Sequence, residues 1–413
     1  MRKTLFTGFA PNLTAADTCL ALSYLLLPWK WSAWKKGSDE KIANEKLKKY
    51  FSTNYAQTFD SGRNALYFAL KALGVEKDDE VLVQAYTCVI VANAIIWTGA
   101  KPVYVDIQDD LNMNPDDLAK KITSKSKVLI IQHTFGLRAD TDKLLALAAK
   151  YSLKVIEDCA HAFGLTWQNK KLGTLGDIGM LSFGSDKILS TVRGGALITN
   201  DPGLGDKIEI LAKELNYPTS KIIAKILLHY PSFFIGKMFY GFWLGKIWLA
   251  FFKKINLLPK ILEATEKKSD QTAFRPYRFP NSLAGLLLQQ LNQVDKVNLH
   301  RQKIAKIFQE QINNPKIAKP WTELKSANLC LRYPIFTKQP SALINYAKKH
   351  GVILGDWYNQ VIAPKDSDLV KAGYLLGSCP QAEKLAKTSV NLPTNRHISL
   401  KDAGKIVKII NNF

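Results

Sequence analysis

Ile178-Gly-Met-Leu-Ser182-Phe183-Gly184-Ser185-Asp186-Lys187, running on to Arg193-Gly194-Gly195-Ala-Leu-Ile-Thr199, reads as a strand over Gly179–Phe183 with a lysine just past its end and a glycine pair beyond. Upstream, Leu153-Lys-Val-Ile-Glu157 is a second strand, and it ends on Asp158. Glu80–Gln84, Pro102–Asp106 and Lys127–Gln132 are further short runs of Val, Ile and Leu. Between them lie helix-periodic segments: Asn64–Leu73 closed by Gly74, Val89–Trp97, Leu118–Ile122 and Leu144–Tyr151. Strands that are apolar on both faces and alternate with helices predict an α/β fold built on a mostly parallel, doubly wound sheet.

At 413 residues the chain exceeds one ordinary core, so a large and a smaller domain are expected. The reading places an N-terminal arm with helices at 1–50 and a large domain at 51–215. An apolar, aromatic and Lys-rich insertion follows at 216–270, then a smaller C-terminal α/β domain at 271–413, which opens with one long helix over Asn281–Phe308. In the insertion, Ile222–Leu228, Phe233–Ile235, Met238–Leu244 and Ile247–Phe252 are punctuated by Lys237, Lys246, Lys253 and Lys254. No uncharged run approaches the ~20 residues that span a bilayer. Aromatics interleaved with lysine suit a segment lying in a membrane interface, and equally a buried hairpin or subunit contact.

The 57 Lys+Arg against 35 Asp+Glu give a formal charge of +22, which favours anionic company: phosphorylated substrates, nucleic acid or an anionic membrane. With no nucleic-acid motif or clustered basic stripe, nucleic acid is not an expected partner. Cys19, Cys88, Cys159, Cys330 and Cys379 form neither a zinc pattern nor a disulfide framework, so no metal is expected and the compartment reads as reducing and cytoplasmic. The apolar stretch Cys19–Pro28 runs into Trp29, Trp31 and Trp34 without a small-residue cleavage site, and reads as an amphipathic helix or surface-packed arm.

Three local features carry chemistry. Ser61-Gly62-Arg63-Asn64 stands between a strand-like stretch and a helix, where N–H groups and the helix dipole bind phosphate, although Ser-Gly also serves as a plain cap. Asp158 ends a strand, where open α/β sheets place their ligands, and a carboxylate there can keep a pyridinium nitrogen protonated. Lys187 at a strand-end cleft can be desolvated into a usable amine. Phosphate loop, carboxylate and lysine together are the parts of a pyridoxal 5'-phosphate site. Ser182 is placed to donate to the phosphate, and His161 to reach the ring's phenolic oxygen or to serve as a structural histidine.

On these motifs the chain resembles the DegT/DnrJ/StrS family of fold-type-I pyridoxal phosphate enzymes, best known as sugar-nucleotide aminotransferases. The resemblance rests on Ser61–Leu66, Asp79-Glu80-Val81, Gly99–Val103, Val155–Ala162, Leu181-Ser182-Phe183 with Lys187, Cys379–Glu383 and Val390–Pro393. It implies Lys187 as the Schiff-base lysine and proton carrier, Asp158 on the pyridine nitrogen, His161 on the ring oxygen, and Ser61, Gly62, Arg63 and Ser182 around the phosphate. It further implies a homodimer, an amino donor such as glutamate, and a phosphorylated keto-sugar acceptor. The chain departs from the family where Cys88 stands for the usual stacking aromatic, Arg63 for Thr, Arg193 for an acid, and Pro276-Tyr277-Arg278 for Asn-Tyr-Arg. The segment 222–258 adds an anionic membrane surface as an expected partner, with the protein peripheral at the inner face. The alternative reading is a lapsed member of the fold that binds membrane as a scaffold.

Overall fold

The computed structural model describes residues 3–260, 262–320 and 328–413; Ile261 of the expected insertion lies outside them. Seven strands form one sheet, in the spatial order Tyr55–Phe59, Gly195–Thr199, Ile178–Ser182, Lys154–Asp158, Ser126–Gln132, Glu80–Gln84 and Lys101–Val105. Gly195–Thr199 is antiparallel to both its neighbours, and the pairings from Ile178–Ser182 to Lys101–Val105 are parallel. Val81, Leu82, Val83, Leu129, Ile130 and Ile156 have no solvent exposure, as strands covered on both faces require. The carboxyl ends of Tyr55–Phe59, Lys154–Asp158 and Ile178–Ser182 therefore share one edge of the sheet.

The helix expected over Asn281–Phe308 is two helices, Asn281–Leu291 and Val294–Gln311. Gln293, at φ −121° and ψ 1°, leaves the helical ladder between them. Each half then packs against a different neighbour: the first on the helix Asp39–Phe51, the second on the helix Leu400–Asn411. The arm of the first residues begins with Leu5–Phe6, which pairs in parallel with Val352–Ile353. Its helix Ala15–Leu26 opens on a capping box between Thr14 and Asp17.

The apolar insertion folds as a helical hairpin, Ser220–Met238 and Leu244–Lys254, turned at Tyr240–Phe242. Gly236 and Gly245 make the crossing: a Cβ on Gly245 would run into the Gly236 carbonyl, and one on Gly236 would come within 2.5 Å of Leu249. Among the described residues no helix is long and apolar enough to cross a membrane.

His229 is buried in the hairpin against the Phe233 ring, 4.0 Å between centroids, and neither ring nitrogen has a partner among the described residues. Burial, with Lys237 nearby, holds its imidazole down to about 3. The folded value lies below the unfolded one, so the unfolded chain takes up the proton first and stability falls as pH drops below the ordinary histidine range. Going from about pH 7 to about pH 5 should cost about 2 kcal/mol through this group. His397, held to about 4, acts in the same sense. Urea midpoints at the two pH values should converge in His229→Phe relative to the parent; equal slopes would remove His229 as a cause.

Candidate active site

Gly195 pairs with Ser182 on one side and with Phe59 on the other, which draws the strand ends together. A Cβ on Gly62 would lie 2.8 Å from Ser182 Oγ, and one on Gly195 would lie 2.7 Å from Gly62 Cα. The start of the helix Gly62–Ala72 is thus pressed onto the sheet at backbone contact, a fit open only to glycine. Ser61 caps that helix: its Oγ accepts from Asn64 N–H at 3.3 Å. A helix N-terminus beside a serine hydroxyl is a ready anion site.

Lys187 lies in the turn between Ile178–Ser182 and Gly195–Thr199, and it is half-buried. Burial pushes its amine below the usual lysine range; Asp158 and Cys88 pull the other way, and Arg332 adds to the depression. Its backbone is held from the arm. Asn12 Nδ2 donates to the carbonyls of Lys187 and Ile188, and Asn12 Oδ1 accepts from the buried Arg301 at 2.8 Å.

Asp158 is 3% exposed, and burial raises its carboxyl above the usual range. Among the described residues its side chain takes one hydrogen bond, from Ala160 N–H to Oδ1 at 2.9 Å. A buried carboxylate so thinly served has hydrogen-bonding capacity left for a cationic or N–H-bearing group. His161 follows in a turn, where the chain reverses with Ala162 N–H bonded to Cys159 O. Its Nδ1 accepts from Phe135 N–H at 3.1 Å, which puts the ring proton on Nε2. That Nε2 is buried with no partner among the described residues, and burial keeps the ring neutral, well below the ordinary histidine value. It is a donor waiting for an acceptor.

The structure therefore brings Lys187, Asp158, His161 and Cys88 into one electrostatic neighbourhood, with Ser182 and the helix start at Ser61 and Gly62 beside it. Burial raises the Cys88 thiol, while Lys187 and Arg63 work against that rise. Arg63 is ion-paired with buried Glu266, and its guanidinium is brought down to about 10 by burial first and Arg193 next. Arg193 in turn meets Asp60 at 3.2 Å. The neighbouring Glu157 serves the scaffold: Oε1 accepts from Leu175 and Gly176 N–H, and Oε2 faces His133 Nε2 at 3.5 Å.

Sequence reasoning missed the far wall. Phe135 stacks on His161 at 5.7 Å, and Trp357 and Tyr358 lie near-parallel to the same imidazole at 6.1 and 6.2 Å. The Arg332 guanidinium sits 3.8 Å over the Trp357 ring and donates to Asp186 Oδ2 at 2.8 Å, and Lys187 Nζ is 5.6 Å from that ring. These residues lie in stretches with no site-like pattern of their own. The aromatic missing at position 88 was the only local sign that others had to supply the wall.

These groups fit pyridoxal phosphate by the orphaned Nε2 of His161, the under-served carboxylate of Asp158 and the glycine-lined helix start beside Ser182. Residues 28–216 and 262–411 match the sequence model described as the DegT/DnrJ/EryC1/StrS aminotransferase family. The unmatched residues between them are the helical hairpin and its flanks. The chain is 39% identical over 178 residues to GDP-perosamine synthase of Escherichia coli O157:H7, covering 43% of this chain and 49% of that one. It is 37% identical over 183 residues to the spore coat polysaccharide biosynthesis protein SpsC of Bacillus subtilis (strain 168), covering 44% and 47%. In these two alignments the chain spans about half the length of the curated relative. Against dTDP-3-amino-3,6-dideoxy-alpha-D-galactopyranose transaminase of Aneurinibacillus thermoaerophilus it is 26% identical over 370 residues, 89% and 88% of the two chains. Among solved structures, the aminotransferase from Psychrobacter cryohalolentis superposes with a TM-score of 0.75 at 21% identity, covering 97% of each chain. NtdA from Bacillus subtilis with bound cofactor PMP gives 0.75 at 21%, covering 100% of this chain and 85% of that one. These likenesses show the fold, which is fold type I.

Proposed function

Since the chain belongs to the DegT/DnrJ/EryC1/StrS aminotransferase family, we propose that it transfers an amino group, from glutamate or a similar donor, to a keto group of a sugar nucleotide or related glycan precursor. Its cofactor is pyridoxal 5'-phosphate, as in the family and its structural neighbours. When bound, that group supplies an electron sink for charge on the carbon that gains or loses the amine. The observation that carries the reading is the half-buried Lys187, whose amine feels the buried Asp158 carboxylate, together with His161 Nε2, which has no partner among the described residues.

Lys187 Nζ, depressed by burial, takes a proton from the substrate carbon and returns it, as a base must near its own titration range. When the cofactor is bound, Asp158 would hold its pyridine nitrogen protonated. His161 Nε2–H would donate to its ring oxygen. Gly62 at the helix start, Ser61 and Ser182 would receive its phosphate, and Arg63, tied to Glu266, would add positive charge there. Cys88 occupies the edge where an aromatic ring is usual, and the stack from Phe135 to Trp357 keeps water away. A cavity of about 470 Å³ beside the helix start is lined by Arg63, Arg193, Lys225, Lys260 and Arg275 together with Asp60, Glu263 and Glu266; with Arg63 and Arg193 ion-paired to Glu266 and Asp60, Lys225 and Arg275 are the cations proposed to meet the acceptor's phosphates.

We assign the site to a cofactor-binding unit over 51–215, followed by the insertion 216–270 and a smaller unit over 271–413. The protein is proposed to act as a cytoplasmic homodimer, peripheral at the inner membrane face. The test is the visible spectrum of the protein loaded with pyridoxal phosphate, before and after glutamate. Discharge of the lysine-linked band, restored by a keto-sugar nucleotide, is the expected result. A band that no amino donor discharges would overturn amino transfer.

A further inference from the structure

Among the described residues the helix Leu244–Lys254 turns one face outward to solvent. Trp243 is 70% exposed, Ile247 64% and Phe251 56%, and Phe242, Leu244 and Ile255 are exposed with them. Positions 244, 247, 251 and 255 recur at helical spacing, so they form one stripe. The opposite face is spent on packing: Gly245 and Leu249 are buried against Gly236. A soluble protein seldom leaves so many large apolar side chains together in water without a use for them.

Charge decides what covers the stripe. From 216 to 262 the sequence contains no Asp or Glu, but it contains Lys221, Lys225, Lys237, Lys246, Lys253, Lys254 and Lys260. Lys246 lies 4.1 Å over the Trp243 ring and 5.0 Å from that of Tyr240, the pairing of cation and ring found where a side chain is half in water and half in an apolar phase. A second copy of this face would bring like charges together with no acid to balance them. Nucleic acid would offer the charge but nothing for the stripe. A bilayer of anionic lipid offers both, and no helix here is long and apolar enough to pass through one.

We propose that the outer face of Leu244–Lys254, with the Tyr240–Trp243 turn, docks on the anionic surface of a lipid bilayer. This deepens the peripheral-membrane part of the reading above and rests on it, but it requires no turnover. The stripe ends at Ile255 and Leu257, and the next residues, Asn256 and Leu258, already line the cavity that holds Arg63 and Arg193. Trp29 and Trp31, also exposed, follow the helix Ala15–Leu26, which packs on the inner helix of the hairpin.

The test uses the full chain loaded with pyridoxal phosphate and sedimented with vesicles of phosphatidylcholine mixed with phosphatidylglycerol, or of phosphatidylcholine alone. The expected result is pelleting with the mixed vesicles, weakened by salt. Ile247→Asp with Phe251→Asp should lower that binding at least about tenfold, and Lys253→Gln with Lys254→Gln roughly fivefold per lysine. The second pair alters only exposed charges, so it still reports if the first pair disturbs the hairpin. Wild-type protein left in the supernatant at low salt would overturn the proposal. So would aspartate variants that pellet unchanged, or that turn a dimer into a monomer by light scattering while still binding vesicles. The lysine-linked absorption band is read in the same samples, so a failure of cofactor chemistry is seen separately from a failure of docking.

Discussion

Lys187→Ala is expected to lower amino transfer by roughly 10⁴-fold, the upper range for a positioned proton carrier. The alanine variant should still bind pyridoxal phosphate through Asp158, His161 and the helix start, but without covalent attachment. Borohydride reduction followed by mass spectrometry should therefore label the Lys187 peptide in the parent and no peptide in the variant. A second consequence separates this role from a structural one. Burial disfavours the charged amine in the folded state, so the folded value lies below the unfolded one and the charged lysine costs stability at neutral pH. The apoprotein of Lys187→Met should consequently melt higher than the parent apoprotein. A variant that loses activity and also melts lower would mark Lys187 as a packing residue.

Asp158→Ala should cost roughly 10³-fold, the scale of removing one preorganised electrostatic partner from a water-poor site. Asp158 is 3% exposed, and its side chain has Ala160 N–H as partner among the described residues. The fold thus loses little hydrogen bonding while the ring nitrogen loses its counter-charge. The expected signature is retained covalent labelling of Lys187 with a collapsed rate of glutamate-driven discharge. Restoration by Asp158→Glu, even partial, would support a carboxylate role. Unchanged discharge in Asp158→Ala would exclude the pairing with the pyridine nitrogen.

Local sequence was enough for the strands and for the residues at their ends. A buried strand is a short apolar run, and the residue that ends it needs no partner in sequence to declare its place. Ser61, Asp158, Ser182 and Lys187 were legible for that reason. The hairpin was legible as an anomaly of composition but not as two helices, because Lys237, Lys246, Lys253 and Lys254 break its apolar stretch into runs too short to show a period.

Tertiary structure decided the rest. Asn12 clamps the Lys187 backbone from 175 residues away, and Glu266 reaches Arg63 from the far side of the hairpin. Phe135, Arg332, Trp357 and Tyr358 became a wall only when the second half of the chain folded over the sheet edge. The tautomer of His161 was set by one backbone N–H, that of Phe135. The sequence by itself determined the fold class, the order of the strands' chemistry and the cofactor, because each is written in contiguous residues with a period or a terminus. Which groups shield, orient and discharge those residues depended on contacts between segments far apart in the chain. No local pattern encodes such contacts, since they arise from packing.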